Sequence, residues 1–309
     1  MCQGAGLVFG NPVCIRDGNS LGRAAPLTVF TSFPKTVNKF IKQEYHMSSL
    51  ANAKRVVFKV GTSTLTYAGG GINIRRVEKL VKALSDLKNS GKEVILVTSG
   101  AISVGMGVLG IKDRPGETRK KQALAAIGQL ELMDFYSRLF SDYNHTVAQL
   151  LLTKDVVDNS VLKENAVNTF ETILTFGAVP IVNENDSISA EQIEFGDNDT
   201  LSAIVAKLVG ADLLIILSDI DGLYDKDPST PEAKLISRVE GVTDEVRALA
   251  GGAGSNRGTG GMITKLAAAE IANGAGIDMF ILNGSDPFII YDLLDGKKVG
   301  TLFNSARRD

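Results

Sequence analysis

The sequence RVVFKVGTSTLTYAGGGINIRRVEKLVKALSDLKNSGKEVILVTSGA, residues 55–101, decides the fold class. It opens with a short run of β-branched and apolar residues, 55–60, that ends at a glycine turn. From residue 72 the apolar side chains recur at helical spacing, and this pattern ends at Gly91. A second apolar run then leads into another glycine turn at 98–101. The stretch therefore predicts a buried strand, a helix and a second buried strand.

The same alternation continues along the chain. Helices are predicted at 119–141, 161–176, about 200–208 and 260–274, and strands at HTVAQLLL (145–152), GAVPIV (177–182), ADLLIILS (211–218) and IDMFIL (277–282). Continuous apolar strands that alternate with helices are typical of a largely parallel sheet with helices on both faces. The sequence therefore predicts an α/β fold, a three-layer α/β/α sandwich.

Composition limits the classes of function. The 309 residues include 33 basic and 35 acidic ones, a net charge of −2, and 6% are aromatic, so neither a nucleic-acid nor a membrane partner is indicated. No apolar stretch approaches the roughly 20 residues that span a bilayer. The two cysteines, Cys2 and Cys14, exclude a disulfide framework and a Cys-ligated metal from the rest of the chain. This usage predicts a reducing compartment such as the cytoplasm.

The first fifty residues differ from the rest. Residues 1–50 lack clear periodicity, and we expect a poorly ordered extension without a catalytic part. Asp17 and Glu44 count against a transit peptide, and Met47 is an alternative start of the folded unit. Residues 51–309 are predicted to form the functional domain.

Polar residues follow five of the predicted strands, at 59–63, 98–101, 183–186, 218–224 and 283–285. In open α/β sheets, ligands bind beyond the carboxyl ends of the strands. Five polar strand ends on one edge indicate a binding site more than they indicate unrelated surface turns.

Two of the glycine-containing turns carry a lysine. Lys59 directly precedes Gly61, and GTGGMITK (258–265) opens an alanine-rich helix with Lys265 in its first turns. Glycine turns and helix N-termini present N–H groups to phosphate, and lysine adds a positive charge. The alternatives are a solvent-facing lysine and a flexible glycine loop. Neither a Walker P-loop nor a dinucleotide fingerprint follows the first strand.

The stretch VNENDSISAEQIEFGDND (182–199) contains six carboxylates and no Lys or Arg. It is either a solvated acidic loop or a site for a cation: Mg²⁺, an oriented lysine or a substrate ammonium. With only His46 and His145 in the chain, a histidine general base is not expected. An acceptor that is already a carboxylate needs no such base. Phosphoryl transfer to a small anionic acceptor fits these features.

Six motifs carry a resemblance to a known family: KVGTSTLT (59–66), VTSGAI (97–102), VNEND (182–186), FGDND (195–199), SDIDGLY (218–224) and GTGGMITK (258–265). Over roughly residues 54–304, the chain resembles the glutamate 5-kinase branch of the amino acid kinase family. The resemblance implies the amino acid kinase fold and ATP-dependent phosphorylation of the side-chain carboxylate of L-glutamate, the first step of proline synthesis. It also implies Mg²⁺, proline as a feedback inhibitor, and a homo-oligomer, dimer or tetramer.

The resemblance also assigns roles to residues. Lys59 and Lys265 are expected to stabilise the transferring phosphoryl group, with Asp199 orienting both lysines. The residues expected to bind glutamate are Ser99, Gly100, Asp186 and Asn198. The residues expected to bind the nucleotide are Lys59, Gly61, Ser218, Asp219, Thr259, Gly260, Gly261, Met262, Ile263, Thr264 and Lys265. No metal ligand is assigned. An acceptor-binding lobe of about 51–210 and a nucleotide-binding lobe of about 211–309 follow from this division.

The sequence departs from the family pattern in two ways. Many bacterial members carry a C-terminal PUA domain, whereas this sequence stops at Asp309, and Ser218 stands where threonine is usual. Two alternatives stay open: another acceptor (acetylglutamate, aspartate or carbamate) within the same fold, or a non-catalytic sensor of glutamate or proline.

Overall fold

The computed structural model describes residues 53–153, 155–188, 198–250 and 261–305. All of these residues lie within the unit Gln43–Asp309. The predicted N-terminal extension, residues 189–197 of the acidic stretch, and the predicted nucleotide-binding residues Thr259 and Gly260 lie outside the described residues.

One sheet runs through the described part of the chain. Its strands are β1 (Arg55–Val60), β2 (Glu93–Val97), β3 (Val147–Leu152), β4 (Val179–Glu184), β5 (Leu213–Ser218), β6 (Arg238–Val239), β7 (Asp278–Asn283) and β8 (Thr301–Phe303). The strand order is β3-β4-β2-β1-β5-β7-β8-β6. Every pair of neighbours from β3 to β7 is parallel, and β8 pairs antiparallel with β7.

Helices fill most connections between the strands. They are α1 (Thr62–Leu65), α2 (Ile74–Asn89), α3 (Ala101–Val108), α4 (Thr118–Ser141), α5 (Asp155–Asp158), α6 (Ser160–Thr175), α7 (Asn198–Leu208), α8 (Asp244–Ala250), α9 (Met262–Gly274) and α10 (Ile289–Leu294). Within the described ranges, no helix combines the length and apolar character needed to cross a membrane.

Alternate side chains of the central strands point into two separate cores. In β1, Val57 belongs to a core with residues of α6, α7 and α9, whereas Val56 and Phe58 belong to a core with residues of α2, α4 and α10. Residues two apart in a strand share a face, so each strand serves both layers of helices. This arrangement confirms the predicted three-layer α/β/α sandwich with a largely parallel sheet.

The carboxyl ends of five predicted strands lie along one edge, because β1, β2, β4, β5 and β7 run in the same direction. The register places Lys59 beside Val97 of β2 and Ile216 of β5. The polar residues after these strands therefore share one rim of the sheet, as the sequence indicates.

Several elements were not predicted. The glycine turn after β2 continues directly into α3, which contains Gly105 and Gly107 and so has low helix propensity. Tertiary contact explains this helix: a Cβ on Gly105 would lie 2.1 Å from the carbonyl oxygen of Leu124 in α4. The strands β6 and β8 contain two and three residues, too few for a recognisable pattern.

Candidate active site

Lys59, Asp199 and Lys265 form a buried cluster of charges at the carboxyl edge of the sheet. The Nζ atom of Lys59 lies 2.7 Å from Oδ1 of Asp199, and Nζ of Lys265 lies 3.1 Å from Oδ2. Asp199 is fully buried, and each lysine is about 5% exposed or less. The structure thus brings together the three residues that the family resemblance assigns to the phosphoryl group.

The fold explains how distant residues meet in this cluster. Lys59 shares the strand face of Val57, which is the face that α7 and α9 cover. Asp199 lies in the first turn of α7, and Lys265 lies in the first turns of α9. The Thr264 hydroxyl lies 3.2 Å from Oδ2 of Asp199 and 2.8 Å from the carbonyl oxygen of Gly261, and its single proton is shared between these two acceptors.

The electrostatics of the cluster favour an ionised Asp199. Burial alone would raise the pKa of this carboxyl group, but the charges and hydrogen bonds of Lys59 and Lys265 outweigh burial and hold it below its usual range. The cluster holds two ammonium groups and one carboxylate in a region shielded from water. Such a cluster attracts an anion more strongly than an exposed lysine does.

The amide of Asn198 joins two strand ends on the acceptor side. Its Nδ2 atom lies 2.7 Å from the carbonyl oxygen of Thr98, 2.8 Å from Oγ of Ser99 and 2.9 Å from Oδ1 of Asn183. Gly100, which precedes α3, has φ +93°, a left-handed conformation that glycine adopts without strain. Ser99, Gly100 and Asn198 are therefore neighbours, as expected for one binding site.

Asp186 lines a cavity of about 270 Å³ beside this amide group. The other lining residues are Ala101, Ala125, Ala126, Gln129, Leu130, Gln149, Leu151, Glu184, Asn185 and Ser187. Burial raises the pKa of Asp186, and the positive charge of Arg114 partly opposes the shift. Neither Ser99 nor Asn198 is part of this lining.

The residues predicted to bind the nucleotide lie at the carboxyl end of β5 and at the amino end of α9. Ser218 is buried and its hydroxyl donates to Oδ1 of Asp219, which is exposed. Gly284, after β7, donates its N–H to the Ser218 carbonyl, so the two strand ends stay joined. Gly261 precedes the first turn of α9 with no side-chain cap, and Ile263 in that turn is 61% exposed.

Sequence reasoning missed four residues that support the acceptor side. Asn183 donates through Nδ2 to Oε1 of Gln129, and Thr98 exchanges a hydrogen bond with the Tyr136 hydroxyl. Asn183 and Thr98 stand within the quoted motifs, so their polar character at strand ends was a usable signal. Gln129 and Tyr136 belong to the long helix α4, where nothing in the local pattern marks them.

Within the described ranges, no group of three His, Cys, Asp or Glu side chains gathers in a way that could hold a metal ion. Mg²⁺ in nucleotide sites is commonly held by one or two carboxylates together with phosphate oxygens. Asp219, an exposed carboxylate beside the proposed nucleotide position, is compatible with that mode.

Comparison with known proteins identifies the family. The model of the amino acid kinase family matches residues 54–283. A glutamate 5-kinase of Clostridium perfringens is 55% identical over 260 residues, which cover 82% of this chain and 97% of that protein. A glutamate 5-kinase of Listeria innocua is 54% identical and covers 84% of this chain and 96% of its own length.

Solved structures share the fold at low sequence identity. UMP kinase from Ureaplasma parvum superposes with a TM-score of 0.59 at 16% identity, covering 81% of this chain and 98% of that one. Carbamate kinase from Giardia lamblia superposes with a TM-score of 0.57 at 17% identity, covering 82% and 99%. The sheet, the buried charge cluster and these matches lead to one conclusion: the chain belongs to the amino acid kinase family and, within it, to the glutamate 5-kinases.

Proposed function

We propose that this protein transfers the γ-phosphoryl group of ATP to the side-chain carboxylate of L-glutamate. The products are L-glutamyl 5-phosphate and ADP, in the first step of proline biosynthesis. The observation that carries the proposal is the buried cluster Lys59–Asp199–Lys265 in a chain that is 55% identical to a glutamate 5-kinase.

In the proposed mechanism, the two lysines neutralise the charge on the moving group. A phosphoryl group in transfer carries negative charge on its three equatorial oxygens, and most of the catalysis is positioning and neutralisation. Asp199 fixes the Nζ atoms of Lys59 and Lys265 from opposite carboxylate oxygens, so neither lysine needs to reorganise when the reaction occurs.

The proposed nucleophile is a carboxylate oxygen of the substrate. It attacks the γ-phosphorus as the bond from that phosphorus to the β-phosphate oxygen breaks, and no proton has to be removed first. His145 precedes β3 and therefore lies at the amino end of the sheet, where its Nε2 atom is 3.4 Å from the Ser85 carbonyl. His46 lies outside the described residues.

We assign glutamate recognition to Ser99, Gly100, Asp186 and Asn198. The Asn198 amide uses Nδ2 on protein acceptors, and its Oδ1 accepts no hydrogen bond from the described residues. We propose that this oxygen accepts from the substrate ammonium. The Asp186 carboxylate in the neighbouring cavity supplies the negative charge that an ammonium favours.

We assign nucleotide binding to the carboxyl end of β5 and the amino end of α9. Ser218, Asp219 and the residues 259–265 would hold ATP, with Gly61 leaving the approach to Lys59 open. A Cβ on Gly61 would stand 3.6 Å from the Lys59 Nζ atom, close enough to narrow the path to it. Mg²⁺ would accompany ATP and add positive charge to the phosphate oxygens, and Asp219, an exposed carboxylate after β5, would help to hold it.

We also propose how the enzyme is regulated, how many copies assemble and in which compartment it works. Proline resembles the amino-acid end of glutamate, so we propose that it inhibits by competing at the glutamate site, in a homo-oligomer of two or four copies. We place the enzyme in the cytoplasm because no cysteine follows Cys14 in the sequence.

One assay tests the function against its alternatives. Purified protein is incubated with MgATP, hydroxylamine and, in separate reactions, glutamate, N-acetylglutamate or aspartate, and the hydroxamate is measured; carbamate is tested by ADP release. We expect glutamate to give more product than any other acceptor. An Asp199→Asn variant is purified in parallel and serves as the control for contaminating kinases. Product from another acceptor but not from glutamate would contradict the assignment, and no product from any acceptor would favour a sensor.

A further inference from the structure

We propose that Gln129 is a positioning residue for the acceptor site, and that it acts through Asn183 on the amide of Asn198. The inference rests on the proposed function, because the site it positions is the proposed glutamate site. Gln129 lies in α4, is 8% exposed and is one of the residues that line the cavity with Asp186.

A close helix crossing brings Gln129 to the edge of the sheet. A Cβ on the preceding residue, Gly128, would lie 1.9 Å from the Ala101 carbonyl oxygen, so α4 and the start of α3 are in backbone contact. Only glycine allows that approach. The approach puts Gln129 beside the end of β4, where its Oε1 atom accepts a hydrogen bond of 2.8 Å from Nδ2 of Asn183.

The hydrogen-bond directions in this relay follow from one backbone group. The Thr98 carbonyl can only accept, so the Asn198 atom 2.7 Å from it is the donor Nδ2. The same Nδ2 then requires an acceptor from Asn183, which turns Oδ1 of Asn183 toward Asn198 and its Nδ2 toward α4. Gln129 must therefore present Oε1. Three amides are ordered by a single carbonyl group.

The burial of Gln129 supports a role in the site more than a role in packing. Its Nε2 atom is buried and finds no acceptor among the described residues. A buried donor without an acceptor lowers stability, so an apolar side chain of similar length would serve packing better. The other end of the Gln129 amide, Oε1, does have a partner, because it accepts from Nδ2 of Asn183.

Tyr136 shows that α4 supports the site at two points. It lies seven positions after Gln129, and its hydroxyl group is 3.0 Å from Oγ1 of Thr98. Thr98 directly follows β2 and Asn183 is the next-to-last residue of β4, and both provide an acceptor to Asn198. The helix therefore contacts two of the three residues that accept from the Asn198 amide.

The experiment compares steady-state constants of Gln129→Met, Asn183→Leu and the double variant. If Gln129 acts through Asn183, Gln129→Met raises the KM for glutamate about 10-fold or more and leaves the KM for ATP within about 2-fold. The double variant is expected to be no worse than the worse single variant, within about 2-fold, because both changes break the same relay.

Two further variants separate positioning from folding. Gln129→Glu keeps an oxygen that can accept from Asn183, and we expect its KM for glutamate to lie at least about 3-fold below that of Gln129→Met. Asn273→Met removes another partly buried amide, which donates to the carbonyls of Ile277 and Phe303. It should lower the melting temperature without changing the KM for glutamate.

Several results would overturn the positioning role. They are an unchanged KM for glutamate in Gln129→Met, equal rises in both KM values, additive effects in the double variant, or a Gln129→Glu variant no better than Gln129→Met. A wild-type protein that does not phosphorylate glutamate would instead overturn the proposed function, and the wild-type reaction in the same series shows which of the two has failed.

Discussion

The Nζ atom of Lys59 lies 2.7 Å from Oδ1 of Asp199, and both groups are buried. The other oxygen of the same carboxylate faces Nζ of Lys265 at 3.1 Å. One carboxylate thus spaces two positive charges that would otherwise repel each other. We interpret this arrangement as a preformed site for a phosphoryl group in transfer.

Lys265→Ala is expected to lower kcat by about 10²-fold or more, with a much smaller change in the KM for glutamate. The lysine is proposed to act mainly in the transition state, and groups of that kind contribute to kcat more than to ground-state binding. Steady-state kinetics check this, with Lys207→Ala, an exposed lysine of α7, as the matched control. A Lys265→Ala enzyme with unchanged kcat would refute the role.

Asp199→Asn is expected to destabilise the protein at neutral pH, and the difference should shrink in acid. The lysines hold the pKa of Asp199 below its ordinary value of 3.8, so the folded protein binds fewer protons than the unfolded chain between the two values. The stabilisation is therefore fully present above about pH 4 and is lost as pH falls through the folded pKa. Urea unfolding of both proteins from pH 7 downward measures this; a pH-independent difference would argue against the ion cluster.

Glutamate binding is expected to weaken as the pH falls. Because of Asp186, the weakening should begin at a higher pH than it would with an aspartate of ordinary pKa. Burial raises its pKa above 3.8, and only the ionised form attracts the substrate ammonium. The KM for glutamate should rise as pH falls through the raised pKa. Glutamate itself titrates near pH 4.3, so Asp186→Asn serves as the reference that keeps the substrate's titration. If the KM for glutamate depends on pH in the same way in the wild type and in Asp186→Asn, Asp186 does not bind the substrate.

Much of this architecture was predictable, because it depends on local patterns. The run RVVFKV predicts β1, and two-residue periodicity puts Lys59 on the same face as Val57. The alanine-rich pattern after GTGGMITK predicts α9. Each of these signals comes from neighbouring residues whose spacing matches a strand or a helix.

The supporting contacts of the site were not predictable in the same way. Gln129 meets Asn183 only because α4 crosses α3 at Gly105 and Gly128, and such a crossing is a tertiary contact. The partners of Asp199 were also not predictable from local patterns. The acidic stretch indicates a cation near Asp199, whereas only the family resemblance identifies Lys59 and Lys265 as its partners. Long-range contacts require the fold, since nothing in a local window encodes them.

Gly128→Ala is expected to destabilise the protein by about 2 kcal/mol or more and to raise the KM for glutamate. The new Cβ would lie 1.9 Å from the Ala101 carbonyl, so α3 and α4 must separate and Gln129 must move away from Asn183. Thermal and urea unfolding measure the loss. Gly274→Ala, at the end of α9, adds a Cβ to open space and is the control. Equal stability of the two variants would contradict the close crossing.

The central claim is that the substrate carboxylate itself attacks the γ-phosphorus, and isotope transfer tests it most directly. Glutamate labelled with ¹⁸O in its side-chain carboxylate is incubated with unlabelled MgATP and hydroxylamine, and the released inorganic phosphate is analysed by mass spectrometry. If the carboxylate is the nucleophile, each phosphate released with hydroxamate carries one ¹⁸O atom. Phosphate without the label would mean that water attacks ATP, and it would contradict the mechanism.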